Sequence, residues 1–225
     1  VTETANRRRV KSRERGWSKR LAAGIAARNI APDVVSAIGL SFAFLGGACL
    51  ALSGVVGGGM RLVLLVAGGV SIQLRLLCNM LDGMVAVEHG KGGAFGPIWN
   101  ELPDRIADAL ILAGAGYGAV QFNLVVGPML GWLCAVLAVL TAYVRELGHG
   151  MGFAADFSGP LAKPQRMGVL TVVILVSLVE KPWVRSGTSL VWGLGLIALL
   201  TAVTTIRRTL HLARLLKARA DEGRP

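Results

Sequence analysis

Within otherwise apolar sequence, residues 75–108 (RLLCNMLDGMVAVEHGKGGAFGPIWNELPDRIAD) carry amide and ionisable side chains at helical intervals. Arg75, Asn79, Asp82 and Ala86 follow one another at offsets of four, three and four, which puts them on one face of a helix. Asn100, Asp104 and Asp108 recur every four residues and make a second stripe, with Glu101 beside it. Both stripes lie toward the ends joined by a short Gly-rich connection (His89, Gly90, Lys91, Gly92, Gly93). A helical hairpin there would bring Asn79, Asp82, Asn100 and Asp104 together. Such groups are costly inside a membrane span and normally face a bundle interior or a wet cavity. Opposed oxygen-bearing side chains suit hard divalent cations, and those cations commonly hold a diphosphate in phosphoryl-transfer sites. Hydrogen bonding between helices, or bound water, would account for any single Asp as well. Two matched stripes favour a metal or phosphate site, and spacing alone does not name the reaction.

The elements that must position these stripes are apolar. The 225 residues are 53% hydrophobic and 16% charged, with a mean hydropathy of +0.59 and a net charge of +11. That balance is too apolar for an ordinary soluble domain. The basic residues gather at the two ends: Arg7, Arg8, Arg9, Lys11, Arg13, Arg15, Lys19 and Arg20, then Arg207, Arg208, Arg214, Lys217 and Arg219. Clusters flanking apolar runs point to an anionic leaflet, not to nucleic acid. The predicted fold is all-α and integral to the membrane, with six transmembrane helices and an N-terminal amphipathic interfacial helix. The spans fall at roughly 34–56, 62–88, 97–119, 124–146, 167–184 and 188–206, each near the ~20 residues that a hydrocarbon core requires. Glu180 and Lys181 interrupt the fifth.

Before them, residues 1–16 are polar, basic and expected to be flexible. Trp17, Leu21 and Ile25 then alternate with Lys19, Arg20 and Arg28 at helical spacing, as in a helix lying in the headgroup region. Three segments result: 1–33 as the basic N-terminus and interfacial helix, 34–206 as the transmembrane domain, and 207–225 as a basic C-terminal helix or tail. An even span count puts both termini on one side, which the positive charge makes cytoplasmic. A bacterial inner membrane suits so compact a chain, and no cleavable signal peptide is expected. Cys49, Cys78 and Cys134 lie in apolar stretches without metal-type spacing, so packing is their expected role. His89, His149 and His211 are expected to be solvated or to face headgroups. The 30 glycines, among them Gly46–Gly47, Gly57–Gly59 and Gly68–Gly69, permit close helix approach.

The order Asn79, Asp82, Gly83, Ala86, Val87, Gly96, Asn100 and Asp104 resembles the signature of the CDP-alcohol phosphotransferases, D-x2-D-G-x2-A-R-x8-G-x3-D-x3-D, with every spacing kept. The six-span layout, the amphipathic opening helix and the NIAPDVVS segment at 29–36, similar to a TPN-like opening motif, extend the likeness to most of the chain. Three positions depart from it. Asn79 and Asn100 stand where the signature has Asp, and Val87 where it has Arg. The resemblance implies two divalent ions, Mg2+ or Mn2+, on the CDP diphosphate. It makes Asn79, Asp82, Asn100 and Asp104 the metal positions and Asp104 the general base for the acceptor hydroxyl. Asn79, Asp82, Gly83, Ala86 and Gly96 become the CDP site.

The two Asn remove two negative charges, so either the second ion binds more weakly or Glu88, Glu101 or Asp108 compensates. Arg75 and Arg105 are candidates for the phosphate contact that Val87 cannot make. Arg145, Lys163 and Arg166 resemble the family's basic segment that binds the acceptor's phosphate, with ordinary loop charge as the alternative. The implied activity moves a phosphatidyl group from CDP-diacylglycerol to a small polar alcohol, such as glycerol 3-phosphate or an inositol phosphate, releasing CMP. The resemblance also implies a homodimer in the lipid bilayer. A catalytically silent relative that binds a CDP-lipid or a partner protein is the alternative, supported by Asn79, Val87 and Asn100. A small transporter lacks the broken helices and inverted repeat that would support it.

Overall fold

The structure, a computed structural model, describes residues 15–88, 90, 95–180 and 185–223. The basic stretch 1–14, His89, Lys91, Gly92, Gly93 and Lys181 therefore lie outside the described residues. The regular elements are helices: α1 (Gly16–Ala27), α2 (Pro32–Ser53), α3 (Gly58–Glu88), α4 (Gly96–Gly118), α5 (Val126–Gly150), α6 (Lys163–Val179) and α7 (Thr188–Asp221). Their starts follow local chemistry. Pro32 opens α2 and Pro164 sits in the first turn of α6, where a fixed φ helps and no amide is missed. Gln165 reaches back to accept the Ala162 amide at 2.9 Å, closing the first turn of α6. Gly187, at φ 91°, makes the left-handed turn into α7.

Each predicted span meets a helix within a few residues, and two differences have physical causes. α6 begins at Lys163 and stops at Val179, because Glu180 turns inward as a cap instead of extending the helix. The sixth span and the C-terminal basic segment form one unbroken helix, since no Gly or Pro falls between Gly195 and Gly223. At 34 residues, α7 is about 50 Å long, well beyond a hydrocarbon core.

Helices α2 to α7 close a ring. α2 packs on both α3 and α4, α4 on α5, α5 on α7, α7 on α6, and α6 back on α3. The predicted hairpin is corrected here. α3 and α4 scarcely touch, because α2 lies between them for most of their length. Small residues allow this wedge. A Cβ on Gly114 would sit 2.3 Å from the carbonyl oxygen of Gly47, so α2 and α4 meet backbone to backbone. Gly116 meets Gly131 on α5 in the same way. Gly57–Gly59, by contrast, face open space.

Leu50, Ile72, Ile111, Leu112, Leu170 and Leu194 fill the ring. Ala22 of α1 joins a smaller cluster with Val35, Cys78 and Leu81, while Trp17 and Leu21 stay exposed. All three cysteines are free and buried. The outside is apolar, with Phe44, Leu124, Trp192 and Leu199 exposed. α2, α3, α5 and α7 are long and apolar enough to cross a membrane. An apolar exterior of this extent around helices of this length belongs in a bilayer. This is an integral membrane protein.

Candidate active site

Where α2, α4 and α6 begin and α3 nears its end, the charged residues of 75–108 turn inward. Asp104 is the hub. Its Oδ1 accepts from Arg75 Nη2 at 2.5 Å and from Asn79 Nδ2 at 2.8 Å. Its Oδ2 pairs with the Lys163 ammonium of α6, and Arg105 Nη2 lies 3.7 Å away. One turn further along α4, Asp108 is buried and accepts from Arg166 Nη2 at 2.9 Å, with Arg75 Nη2 at 3.9 Å. Asp82 differs. Its Oδ2 accepts the Ser36 hydroxyl at 2.7 Å and its Oδ1 the Gly83 amide at 2.5 Å, and no cation pairs with it among the described residues. Ser36, Arg75, Asn79, Asp82, Trp99 and Asp104 line a cleft of about 230 Å³. Pro103, also on its wall, removes the amide that would have bonded the Trp99 carbonyl, loosening α4 at that turn.

Of the predicted site residues, Arg75, Asn79, Asp82, Asp104, Asp108, Lys163 and Arg166 come together. Arg145 approaches from α5 but pairs with Glu101 and Glu146, both at 2.7 Å. Arg105 and Glu101 pair with each other at 3.3 Å on the rim. Gly83, Ala86 and Gly96 do not line the cleft. Glu88 and Val87 are exposed near the end of α3, away from the cleft. The side chain of Asn100 lies outside what the structure describes. Ser36, Trp99 and Pro103 also line the cleft, and none carries a site signal of its own in the sequence. Ser36 does fall in the NIAPDVVS segment, though nothing local indicates that its hydroxyl reaches Asp82 across 46 positions.

A second cleft, about 290 Å³, opens between the end of α5, residues 153–156 and α7, with Arg145, Asp156, Arg208 and His211 on its walls. Burial raises the pKa of Asp156. The Ser158 hydroxyl and amide outweigh that effect, helped by the charges of Arg208 and His211, and hold the carboxyl below its usual range.

No protein-family model matches the chain. It is 27% identical over 183 residues to the phosphatidylinositol phosphate synthase of Mycolicibacterium smegmatis, covering 80% of this chain and 76% of that protein. Its fold matches the crystal structure of Mycobacterium tuberculosis phosphatidylinositol phosphate synthase with CDP-DAG bound, at a TM-score of 0.71 and 23% identity over 87% of this chain and 92% of that one. The same enzyme in complex with manganese and citrate aligns at a TM-score of 0.69 and 24% identity, over 87% and 88% of the two chains. The signature spacing kept from residue 79 to residue 104 accords with that likeness.

The chain is similar to phosphatidylinositol phosphate synthases in sequence and in fold.

A site of the kind that the signature spacing implies must suit a divalent ion, and here the donors are unequal. Asp82 offers a carboxylate to the cleft with only a hydroxyl and an amide upon it, an environment in which a hard cation gains an anionic ligand without displacing another charge. Asp104 already holds Arg75 and Lys163, and Asn79 turns its NH2 edge toward it. The residues therefore fit an ion on the Asp82 side. The cluster also leaves buried donors to spare. Arg75 Nη1 and Arg166 Nε and Nη1 have no hydrogen-bond partner among the described residues.

Proposed function

We propose that this chain transfers a phosphatidyl group from CDP-diacylglycerol to a small polar alcohol, releasing CMP, in the cleft between α2, α3 and α4. The observation that carries it is the meeting of Asp82 and Asp104 at one cleft, in the family's spacing, beneath unpartnered guanidinium donors. Asp82, with Asn79 and Asn100 as neutral oxygen donors beside it, would hold Mg2+ or Mn2+, which when bound would offset the negative charge of the diphosphate, and the fourth signature position, Asp104, would serve as the base. The acceptor oxygen forms a bond to the phosphatidyl phosphorus. The bond from that phosphorus to the bridging oxygen breaks, and CMP leaves with that oxygen. The acceptor's proton passes to Asp104, which Arg75 and Asn79 orient through Oδ1. Gly83, Ala86 and Gly96 give the nucleotide room, and Lys163, Arg166 and Arg145 take the acceptor's phosphate. α4 and α6 complete six spans, with α1 in the headgroup region. The site end and both termini face the cytoplasm of a bacterial inner membrane, in a homodimer with the 1–33, 34–206 and 207–225 organisation. Support for the two extra spans is their place in the ring, α4 packed on α2 and α5 and α6 on α3 and α7.

The test is CMP release by the purified chain in liposomes containing CDP-diacylglycerol and Mn2+, with glycerol 3-phosphate or an inositol phosphate as acceptor. Release with one of them, lost on chelation and in Asp104→Asn, is the expected result. The silent-relative reading draws on the saturation of Asp104 by donors. Binding of CDP-diacylglycerol with no CMP released to any acceptor would favour it.

A further inference from the structure

The polar centre is balanced in charge before any metal is added. Asp82, Asp104 and Asp108 face Arg75, Lys163 and Arg166, three charges of each sign. The rim contributes Glu101 and Glu146 against Arg105 and Arg145, and so no surplus of either sign. A CDP-lipid diphosphate carries two negative charges in its ionised form. One divalent cation closes that balance. A second would leave two positive charges uncompensated in a buried setting where like charges repel strongly.

Geometry gives the same answer at the level of single atoms. A cation on Asp104 Oδ1 would have to displace Arg75 Nη2 at 2.5 Å and the Asn79 amide at 2.8 Å. A cation on Oδ2 would meet the Lys163 ammonium. Arg75 itself is 2% exposed, lines the same cleft as Asp82, and keeps Nη1 without a hydrogen-bond partner among the described residues. A buried guanidinium edge left unsatisfied is costly, and a diphosphate oxygen is the partner whose charge and shape suit it.

We infer that Arg75 takes the place of one divalent ion: its Nη2 edge neutralises Asp104, its Nη1 edge bonds the substrate diphosphate, and the chain binds a single divalent cation on the Asp82 side. The inference rests on the proposed function, and it makes the neutral Asn79 and the cationic Arg75 two halves of one exchange.

Manganese titration by electron paramagnetic resonance, on the native chain in nanodiscs saturated with CDP-diacylglycerol, counts the ions directly. One Mn2+ per chain is expected. In Arg75→Gln, affinity for CDP-diacylglycerol at saturating Mn2+ should fall about ten- to a hundredfold, the range for a lost hydrogen bond to a charged group. Arg75→Lys, which keeps the charge and the packing volume, should recover part of it. The triple variant Arg75→Gln, Asn79→Asp, Asn100→Asp should bind a second ion. A native count of two with CDP-diacylglycerol bound, or unchanged lipid affinity in Arg75→Gln, overturns the inference and leaves the proposed function standing, whereas a count of none overturns the inference and the metal dependence of that function together. A native chain that binds neither Mn2+ nor CDP-diacylglycerol overturns both.

Discussion

Two buried ion clusters sit at opposite ends of this helical ring, and they are built to different ends. At one, Arg61 Nη1 donates to the carbonyls of Ser53 at 2.6 Å and Gly118 at 3.1 Å, the last residues of α2 and α4. Its Nη2 reaches Glu180 at 3.5 Å. Glu180 in turn accepts the amides of Gly187 at 2.5 Å and Ser189 at 3.1 Å, where α7 begins. A cation thus caps two helix C-termini and an anion caps one N-terminus, the arrangement favoured by the helix dipoles. Neither side chain leaves a buried polar atom without a partner among the described residues. At the other end, Arg75, Asp108 and Arg166 all do. The first cluster fastens five helices. The second holds its charges in place with bonding capacity left over, which is what a site for an anionic substrate needs and what a fastening does not.

That contrast breaks most sharply by exchanging losses of activity and of stability. Asp104→Asn should lower CMP release by about a thousandfold, the middle of the range for a lost general base, while thermal unfolding in detergent shifts little. Glu180→Ala should do the reverse. Removing one partner of a buried pair destabilises by about 3–5 kcal/mol, so unfolding should come far earlier while CMP release per folded molecule holds. Lys163→Met should raise the KM for a phosphorylated acceptor by about tenfold, as expected for one charge-assisted hydrogen bond, with kcat less affected. Equal loss of activity and stability in Asp104→Asn and Glu180→Ala would erase the distinction between the two ends.

Smaller effects sharpen it. Gly114→Ala forces a Cβ against the Gly47 backbone and should cost about 1–3 kcal/mol in unfolding free energy through overpacking. Asp156, whose folded carboxyl lies below its ordinary range, stabilises the native chain above the unfolded pKa and loses that contribution as pH falls through the folded value. Asp156→Asn should therefore unfold slightly more easily than the native chain near neutral pH and lose less stability as the solution is acidified, so that the two converge in acid.

Much of the site was legible because helical offsets place side chains without knowledge of the tertiary fold. Arg75, Asn79, Asp82, Asp104 and Asp108 were all visible as stripes, and the signature spacing gave them a family resemblance. What lay hidden were contacts between distant segments. Nothing in the sequence says that α2 wedges between α3 and α4, since its glycines fit many partners. Lys163 and Arg166 read as a basic segment for an acceptor, yet both fold directly onto the acidic stripe of α4. Glu180 read as an interruption of a span, and it is the cap that joins α6 to α7 and meets Arg61, 119 positions away on α3. Local pattern names the face of a helix, and only packing names the neighbour.

The most direct test is a crystal structure of the chain with CDP-diacylglycerol and Mn2+. Diphosphate density between Asp82 and Asp104, within hydrogen-bond reach of Arg75 Nη1, is the expected result. A nucleotide seated elsewhere, such as the cleft beside Asp156 and Arg208, with the Asp82 cleft closed by its own side chains, would contradict it.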